Sequence, residues 1–213
     1  PAMTREECVQ AILTGVDTVR DLKAEGYDLI VTGEMGIGNT TTSSACAAVL
    51  FDQAPEVVTG RGAGLSTEGL NKKVRAIERA IEVNHPDKTD AIDVISKVGG
   101  LDIAGMVGCY LGAAYYHLPI LIDGFISAIS AYLAGMLSKT AKEYMIPTHG
   151  SAEPAAKLAM EHLGMQAPIQ AGMHLGEGTG AIMGLSLIDQ GLNVYYHVAT
   201  WDGAHVEAYT HQK

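Results

Sequence analysis

Cysteine and positive charge are both scarce in this 213-residue sequence, and each shortage excludes a class of protein. Its 3 cysteines, Cys8, Cys46 and Cys109, are far apart, odd in number and in no C-x-x-C pattern. A disulfide framework and a zinc ribbon are therefore not expected, and a reducing cytoplasm fits best. Lysine and arginine total 14 against 24 acidic residues, a formal charge of −10, which argues against a nucleic-acid partner because phosphate neutralisation needs clustered cations. Charged residues make up only 18% and hydrophobic residues 47%, which excludes disorder as the main state. A membrane-spanning run is also missing. The most apolar stretch, residues 111–137, carries His117, Pro119 and Asp123 inside it, with Gly112, Gly124 and Gly135 scattered through, and reads as helix, buried strand, helix. Residues 1–6 contain no basic region followed by an apolar run, so no signal peptide is read there. The first residue is Pro1, not Met, so a processed or partial chain is expected.

What is abundant is glycine, 25 residues, much of it where apolar runs end. Thr4-Arg5-Glu6-Glu7 is a capping box, and Val9, Ile12, Leu13, Val16 and Val19 follow at helical spacing, predicting a helix over 4–25 that Gly26 stops. Residues 27–31 read as a short buried strand feeding the glycine loop Gly33-Glu34-Met35-Gly36-Ile37-Gly38-Asn39-Thr40-Thr41, with a small-residue helix to Phe51. A second glycine cluster, Gly60 to Gly64, precedes an amphipathic helix through Val74, Ile77 and Ile81 that ends at Asn84-His85-Pro86. Helices over 90–97 and 101–116 flank Gly99-Gly100. Then come a strand over 118–122 ending at Asp123-Gly124, a helix to about Lys142, and a strand over 144–146. Thr148-His149-Gly150-Ser151-Ala152-Glu153-Pro154 opens a helix to Leu163 with Pro154 in its first turn. A weaker extended segment over 170–173 leads through His174-Leu175-Gly176-Glu177-Gly178-Thr179-Gly180 into an apolar helix over 181–189. Strands alternating with helices imply one α/β domain with a parallel sheet and a site at the carboxyl ends of its strands.

Several loops have the residue types for chemistry. Gly36 and Gly38 before Asn39 can aim helix N-terminal amides at a phosphate, or serve only a tight turn. No Gly-Lys-Ser/Thr follows, and Thr41 stands where a dinucleotide fingerprint has its third glycine, so neither a Walker loop nor a nicotinamide-dinucleotide oxidoreductase is favoured. Lys72 and Lys73 are either an anion site or a solvated helix face. Glu34 and Glu177, each near glycines after a strand, can be partly desolvated, and desolvation raises a carboxylate towards the range of a general base. Glu177 can equally be a helix-dipole carboxylate. Asp123 suits a ribose hydroxyl, or caps a helix. His149 and His174 are too isolated to read as metal ligands, and hydrogen bonding within their loops is the better reading. Ser151 has no G-x-S-x-G elbow and is not read as a nucleophile.

Taken in order, the strings 33–41, Gly60-Arg61-Gly62-Ala63-Gly64-Leu65, Val98-Gly99-Gly100-Leu101-Asp102-Ile103-Ala104, Leu121-Ile122-Asp123-Gly124-Phe125, 149–154 and 174–181 closely resemble the nicotinate-nucleotide:dimethylbenzimidazole phosphoribosyltransferase family. The resemblance runs over essentially all 213 residues. It implies transfer of phosphoribose from nicotinate mononucleotide to 5,6-dimethylbenzimidazole, giving α-ribazole 5′-phosphate and nicotinate, with no cofactor and no metal. It further implies a parallel Rossmann-like sheet flanked by helices, a small helical part from the chain ends, and a homodimer. By the same resemblance Glu177 is the general base, and Glu34, Met35 and Leu175 hold the acceptor base. Gly36, Gly38, Asn39, Gly62, Lys73, Asp123, Gly124 and Ser151 hold the phosphoribosyl group. Family members carry a further segment before the position of Pro1 that partly lines the acceptor pocket. The alternative is therefore a catalytically incomplete subunit that binds the nucleotide alone.

Overall fold

The computed structural model describes residues 1–207, 209 and 210. Helix α1 (Arg5–Ala24) begins at the expected capping box: the Glu7 amide donates to Thr4 Oγ1 at 3.1 Å, and the Thr4 amide to Glu7 Oε2 at 2.8 Å. Its buried face of Cys8, Ile12 and Val19 packs chiefly on α6 (Leu101–Tyr116). The two backbones touch. A Cβ on Gly15 would lie 2.0 Å from the Gly105 carbonyl oxygen, and one on Gly108 only 1.9 Å from that of Ile12. The small residues of α6 therefore serve close helix packing. Cys46 and Cys8 are buried, and burial pushes their thiols up to about 12 and about 11, so both are core residues and not nucleophiles.

Three strands, β1 (Ile30–Val31), β2 (Ile120–Ile122) and β3 (Met145–Pro147), form a parallel sheet in the order β1-β2-β3, with Ile30 opposite Ile120 and Ile120 opposite Met145. Helices α2 (Asn39–Leu50), α3 (Pro55–Val58), α4 (Thr67–Asn84), α5 (Ala91–Val98), α7 (Phe125–Leu137) and α8 (Pro154–Leu163) surround it. The four-residue α3 escapes sequence periodicity because it is a single turn, started by Pro55. The strands are shorter than expected. Residues 27–29 stay outside the sheet with Tyr27 exposed, and Tyr144 ends a 3-10 turn (Lys139–Tyr144) that follows α7. The extended segment expected over 170–173 pairs one residue earlier, as a bridge between His149 and Ile169, because Gly172 turns the chain at positive φ. Helix α9 (Thr179–His197) runs well past Asp189, and Gly191 does not break it. Only Gly180, Ala181 and Gly184 of α9 are buried, and α1 and α9 are the helical contributions of the two chain ends.

A buried hydroxyl network fixes where the loops leave the sheet. Thr32 Oγ1 lies 3.0 Å from Tyr110 Oη and 2.6 Å from Ser127 Oγ, and Ser127 Oγ accepts from the Asp123 amide at 3.0 Å. Each polar group is satisfied inside the core, so the carboxyl ends of β1 and β2 are held in one place. Among the described residues no helix is long and apolar enough to cross a membrane.

Candidate active site

A cleft of about 770 Å³ opens at the carboxyl ends of the strands. Five segments line it: 34–37 with Thr40 after β1, 62–64 before α4, 124–126 at the start of α7, His149, Ser151 and Glu153 after β3, and 172–177 before α9 with Thr179, the first residue of that helix.

The two glutamates sit on loops joined backbone to backbone, the Glu177 amide donating to the Glu34 carbonyl at 2.9 Å. Glu34 is half-buried, and its Oε2 accepts from the Gly36 amide at 2.6 Å and from Asn39 Nδ2 at 2.8 Å. Burial pushes its carboxyl pKa up despite those two donors, and Asp123 and Asp102 push the same way. Glu177 differs from the expectation of partial desolvation: its side chain is exposed. It is the one non-glycine in a run of three left-handed residues, with φ of 79° at Gly176, 59° at Glu177 and 78° at Gly178. A glutamate held there costs of order 1 kcal/mol or more, which the flanking glycines keep local. The helix-dipole role that Glu177 was offered is filled by another residue. Asp123, buried at the end of β2, accepts from the Gly178 amide through Oδ2 and the Ala181 amide through Oδ1, both at 3.0 Å. Asp123 thus caps α9, not the helix that follows it in sequence, and is not among the residues lining the cleft.

The anion-binding expectations are redistributed in the same way. The Gly36 amide is occupied by the protein's own Glu34, while Gly38 is the left-handed N-cap of α2 and lies off the cleft with Asn39. Asn39 ties Glu34 to Asp102, its Nδ2 lying 2.9 Å from Asp102 Oδ2. Lys72 and Lys73 part company. Lys72 is exposed and paired with Glu68 at 2.6 Å, whereas Lys73 is buried, its Nζ donating to Thr40 Oγ1 at 2.9 Å and the Gly60 carbonyl at 3.0 Å. Burial pushes the Lys73 ammonium pKa down, partly offset by Glu153. It stands behind Thr40 and links the two glycine loops. Gly124 and Ser151 line the cleft as expected, and Met35 and Leu175, 72% and 64% exposed, form an apolar rim.

Glu153 and His149 are among the lining residues that the sequence did not mark as site residues. Glu153 Oε1 accepts from the Gly62 amide at 3.2 Å, and its buried Oε2 has no hydrogen-bond partner among the described residues. Its place in the 149–154 string was the available signal. His149 is 4% exposed yet reaches the cleft wall. Among the described residues no three His, Cys, Asp or Glu side chains are grouped to hold a metal ion.

Glu34 gives a pH test. Its folded-state pKa lies above the ordinary 4.5, so the folded protein keeps this proton to higher pH than the unfolded chain. Its contribution to stability is therefore present below 4.5 and lost as pH rises through the raised value. Urea unfolding of wild type and Glu34→Gln between about pH 4 and about pH 8 is expected to show the wild-type advantage shrinking with rising pH. A difference that grows with pH would contradict the assignment.

A parallel sheet with glycine loops at its carboxyl ends, around a cleft of carboxylates and backbone amides with a buried lysine behind Thr40, defines an α/β protein whose cleft lies where such folds bind small ligands. The match of residues 1–206 to the phosphoribosyltransferase family model shows more: the chain belongs to that family. Nicotinate-nucleotide–dimethylbenzimidazole phosphoribosyltransferase of Acetivibrio thermocellus is 49% identical over 212 residues, covering 100% of this chain and 60% of the relative. The protein of the same name from Clostridium acetobutylicum is 47% identical over 208 residues, covering 98% of this chain and 59% of its own. The crystal structure of CobT from Thermus thermophilus superposes with a TM-score of 0.91 at 36% identity, covering 98% of this chain and 62% of that one. The chain thus spans about three-fifths of the length of these relatives.

Proposed function

We propose that the chain transfers phosphoribose from nicotinate mononucleotide to 5,6-dimethylbenzimidazole, with Glu177 as general base and inversion at the anomeric carbon. The observation that supports this most is the pair of joined loops that bring Glu34 and Glu177 to one cleft, which Gly62 and Ser151 also line and Lys73 backs through Thr40. The leaving group is a pyridinium, already cationic, so the C1′–N bond can break with its electron pair going to the ring nitrogen and no acid is needed. The demanding steps are stabilising positive charge at C1′ and removing the imidazole N–H proton as the new C1′–N bond forms. A solvent-reached carboxylate at Glu177 takes that proton and can return it to water. Glu34, nearer neutral, serves as a hydrogen-bonding partner of the base beside the Met35 and Leu175 rim. Attack opposite the departing nicotinate converts β to α, as in inverting glycosyl transfer.

For the phosphate, the Gly62 amide and Ser151 on the cleft and the Lys73 charge behind Thr40 are the available groups, and the phosphate takes over from Glu153 at the Gly62 amide. Asp123 acts through α9, which it caps, and Gly124 keeps the cleft floor open. The protein works in the cytoplasm as a homodimer. The exposed Ile182, Met183, Leu187 and Leu192 along α9 support a partner surface there.

Calorimetric titration with nicotinate mononucleotide, followed by chromatographic detection of α-ribazole 5′-phosphate and nicotinate after adding the base, tests the reading. Binding and both products are expected. Binding without product supports the nucleotide-only reading, which the open Met35 and Leu175 rim favours; a folded chain that binds no nucleotide overturns both.

A further inference from the structure

The cleft contains a buried histidine whose protonation pattern is set by its neighbours. His149 lies at the end of β3, in contact with three other segments. On one side, a Cβ on Gly180 would be 1.8 Å from its Nδ1, so the first turn of α9 lies flat against the ring and leaves it no room to turn. On another, Nδ1 is 3.5 Å from Thr148 Oγ1 and 3.9 Å from Asp123 Oδ1. The Thr148 hydroxyl has one proton, and it goes to the Ile122 carbonyl at 2.7 Å. Thr148 can therefore only accept from the ring, and the Asp123 carboxylate likewise. Two acceptors beside Nδ1 and no donor favour the imidazole proton there, which leaves Nε2 as a bare lone pair.

That lone pair has no hydrogen-bond partner among the described residues, and it is on the cleft side. The Cε1 and Nε2 edge of the ring faces Gly124, 3.8 and 3.9 Å from the position of a Cβ there, and both residues line the cleft. Burial lowers the pKa of His149, with Asp123 opposing, which favours the neutral ring. None of the polar side chains on the cleft bonds Nε2: the carboxylates Glu34, Glu153 and Glu177 are themselves acceptors when ionised, and neither His174 nor the hydroxyls of Thr40, Ser151 and Thr179 donate to it, which leaves a ligand donor as the natural partner.

We propose that His149 Nε2 accepts a hydrogen bond from a sugar hydroxyl of the bound nucleotide, making His149 a binding and specificity residue that selects ribosyl over deoxyribosyl ligands. The proposal rests on the nucleotide reading given above. A pocket built around an acceptor rejects a ligand lacking the matching donor, because the buried lone pair is then left unpaired. The glycines at 124 and 180 fit this role: one leaves room for the sugar over the ring edge, the other clamps the ring.

The test has two parts. In wild-type protein without ligand, nitrogen-15 histidine spectra, with the His149 signal assigned by its loss in His149→Gln, are expected to show the neutral Nδ1–H tautomer. Addition of nicotinate mononucleotide should move Nε2 in the direction of hydrogen-bond acceptance. Titration with the 2′-deoxy and 3′-deoxy nucleotides should then show one of them binding about tenfold or more weakly. His149→Phe, which keeps a ring without the acceptor, is expected to lose that discrimination, and His149→Gln, whose amide oxygen reaches the Nε2 position, to regain part of it. An Nε2–H tautomer in the free protein overturns the inference, as does equal binding of all three nucleotides by wild type. If His149→Phe does not fold, the wild-type spectra and analogue series decide alone. Wild type that binds no nucleotide at all fails the functional reading itself and takes this inference with it, and it is told apart because the tautomer is read without ligand.

Discussion

Glu177→Gln is expected to lower turnover by about 10²- to 10⁴-fold while leaving the affinity for nicotinate mononucleotide little changed. Gln is nearly isosteric and keeps the side chain at the cleft, but it cannot take the N–H proton that, in the proposed reaction, the imidazole ring sheds as its other nitrogen bonds to C1′. In the proposed reaction the nucleotide already carries its leaving group as a cation, so its binding and the departure of nicotinate would not use Glu177, and the loss should appear in kcat more than in KM. Steady-state rates with both substrates, paired with calorimetric nucleotide binding, read the two quantities separately. A variant with full activity would remove Glu177 from the mechanism, and a variant that lost nucleotide affinity in proportion to turnover would make it a binding group. The left-handed backbone supplies a control. Glu177→Gly relaxes φ at a site now held at 59° between two glycines, so it should be inactive and at least as stable as wild type. Activity is thus expected to be lost without a loss of stability.

Gly108→Ala should have the largest effect on stability, a loss of about 3 kcal/mol or more in urea unfolding. The added methyl would sit 1.9 Å from the Ile12 carbonyl oxygen and 2.9 Å from the Gly15 Cα, both backbone atoms of α1. No rotamer change relieves such a contact. Helix α1 has to move off α6, separating Cys8, Ile12 and Val19 from the core they fill. Gly105→Ala is the matched control, since nothing lies within 4 Å of its Cβ position; it sits on the same helix and should be neutral or slightly stabilising. Equal behaviour of the two variants would show that α1 and α6 are not in the contact described.

The elements were legible wherever the signal is local. Thr4 and Glu7 announce the start of α1, Pro154 that of α8, and the apolar run through Ile120 and Leu121 a buried strand. The glycine loops around Glu34, Gly62, Asp123 and Glu177 fall after apolar segments, so their convergence on one sheet edge follows from a parallel α/β arrangement. Boundaries slipped where tertiary contact decides them, as at β1, where only Ile30 and Val31 find partners in β2, and at the bridge of Ile169 to His149.

The sequence alone thus determined the alternation of strand and helix, the capping signals, and the loops that could bear chemistry, because each of these depends on residues within a few positions of one another. Tertiary structure alone decided what those side chains do. Asp123 and Ala181 are separated by 58 residues before one caps the helix of the other. Glu34 is desolvated and Glu177 exposed although both stand beside glycines, because burial depends on what the fold stacks over a loop and not on the loop's composition. Lys72 and Lys73 are neighbours in sequence, but they point to solvent and to core respectively because successive residues on a helix turn by about 100°. His149 becomes a lone-pair acceptor through its neighbour Thr148 together with Asp123 and Gly180, which the fold brings to the ring from two other segments, a conjunction with no signature in the order of residues.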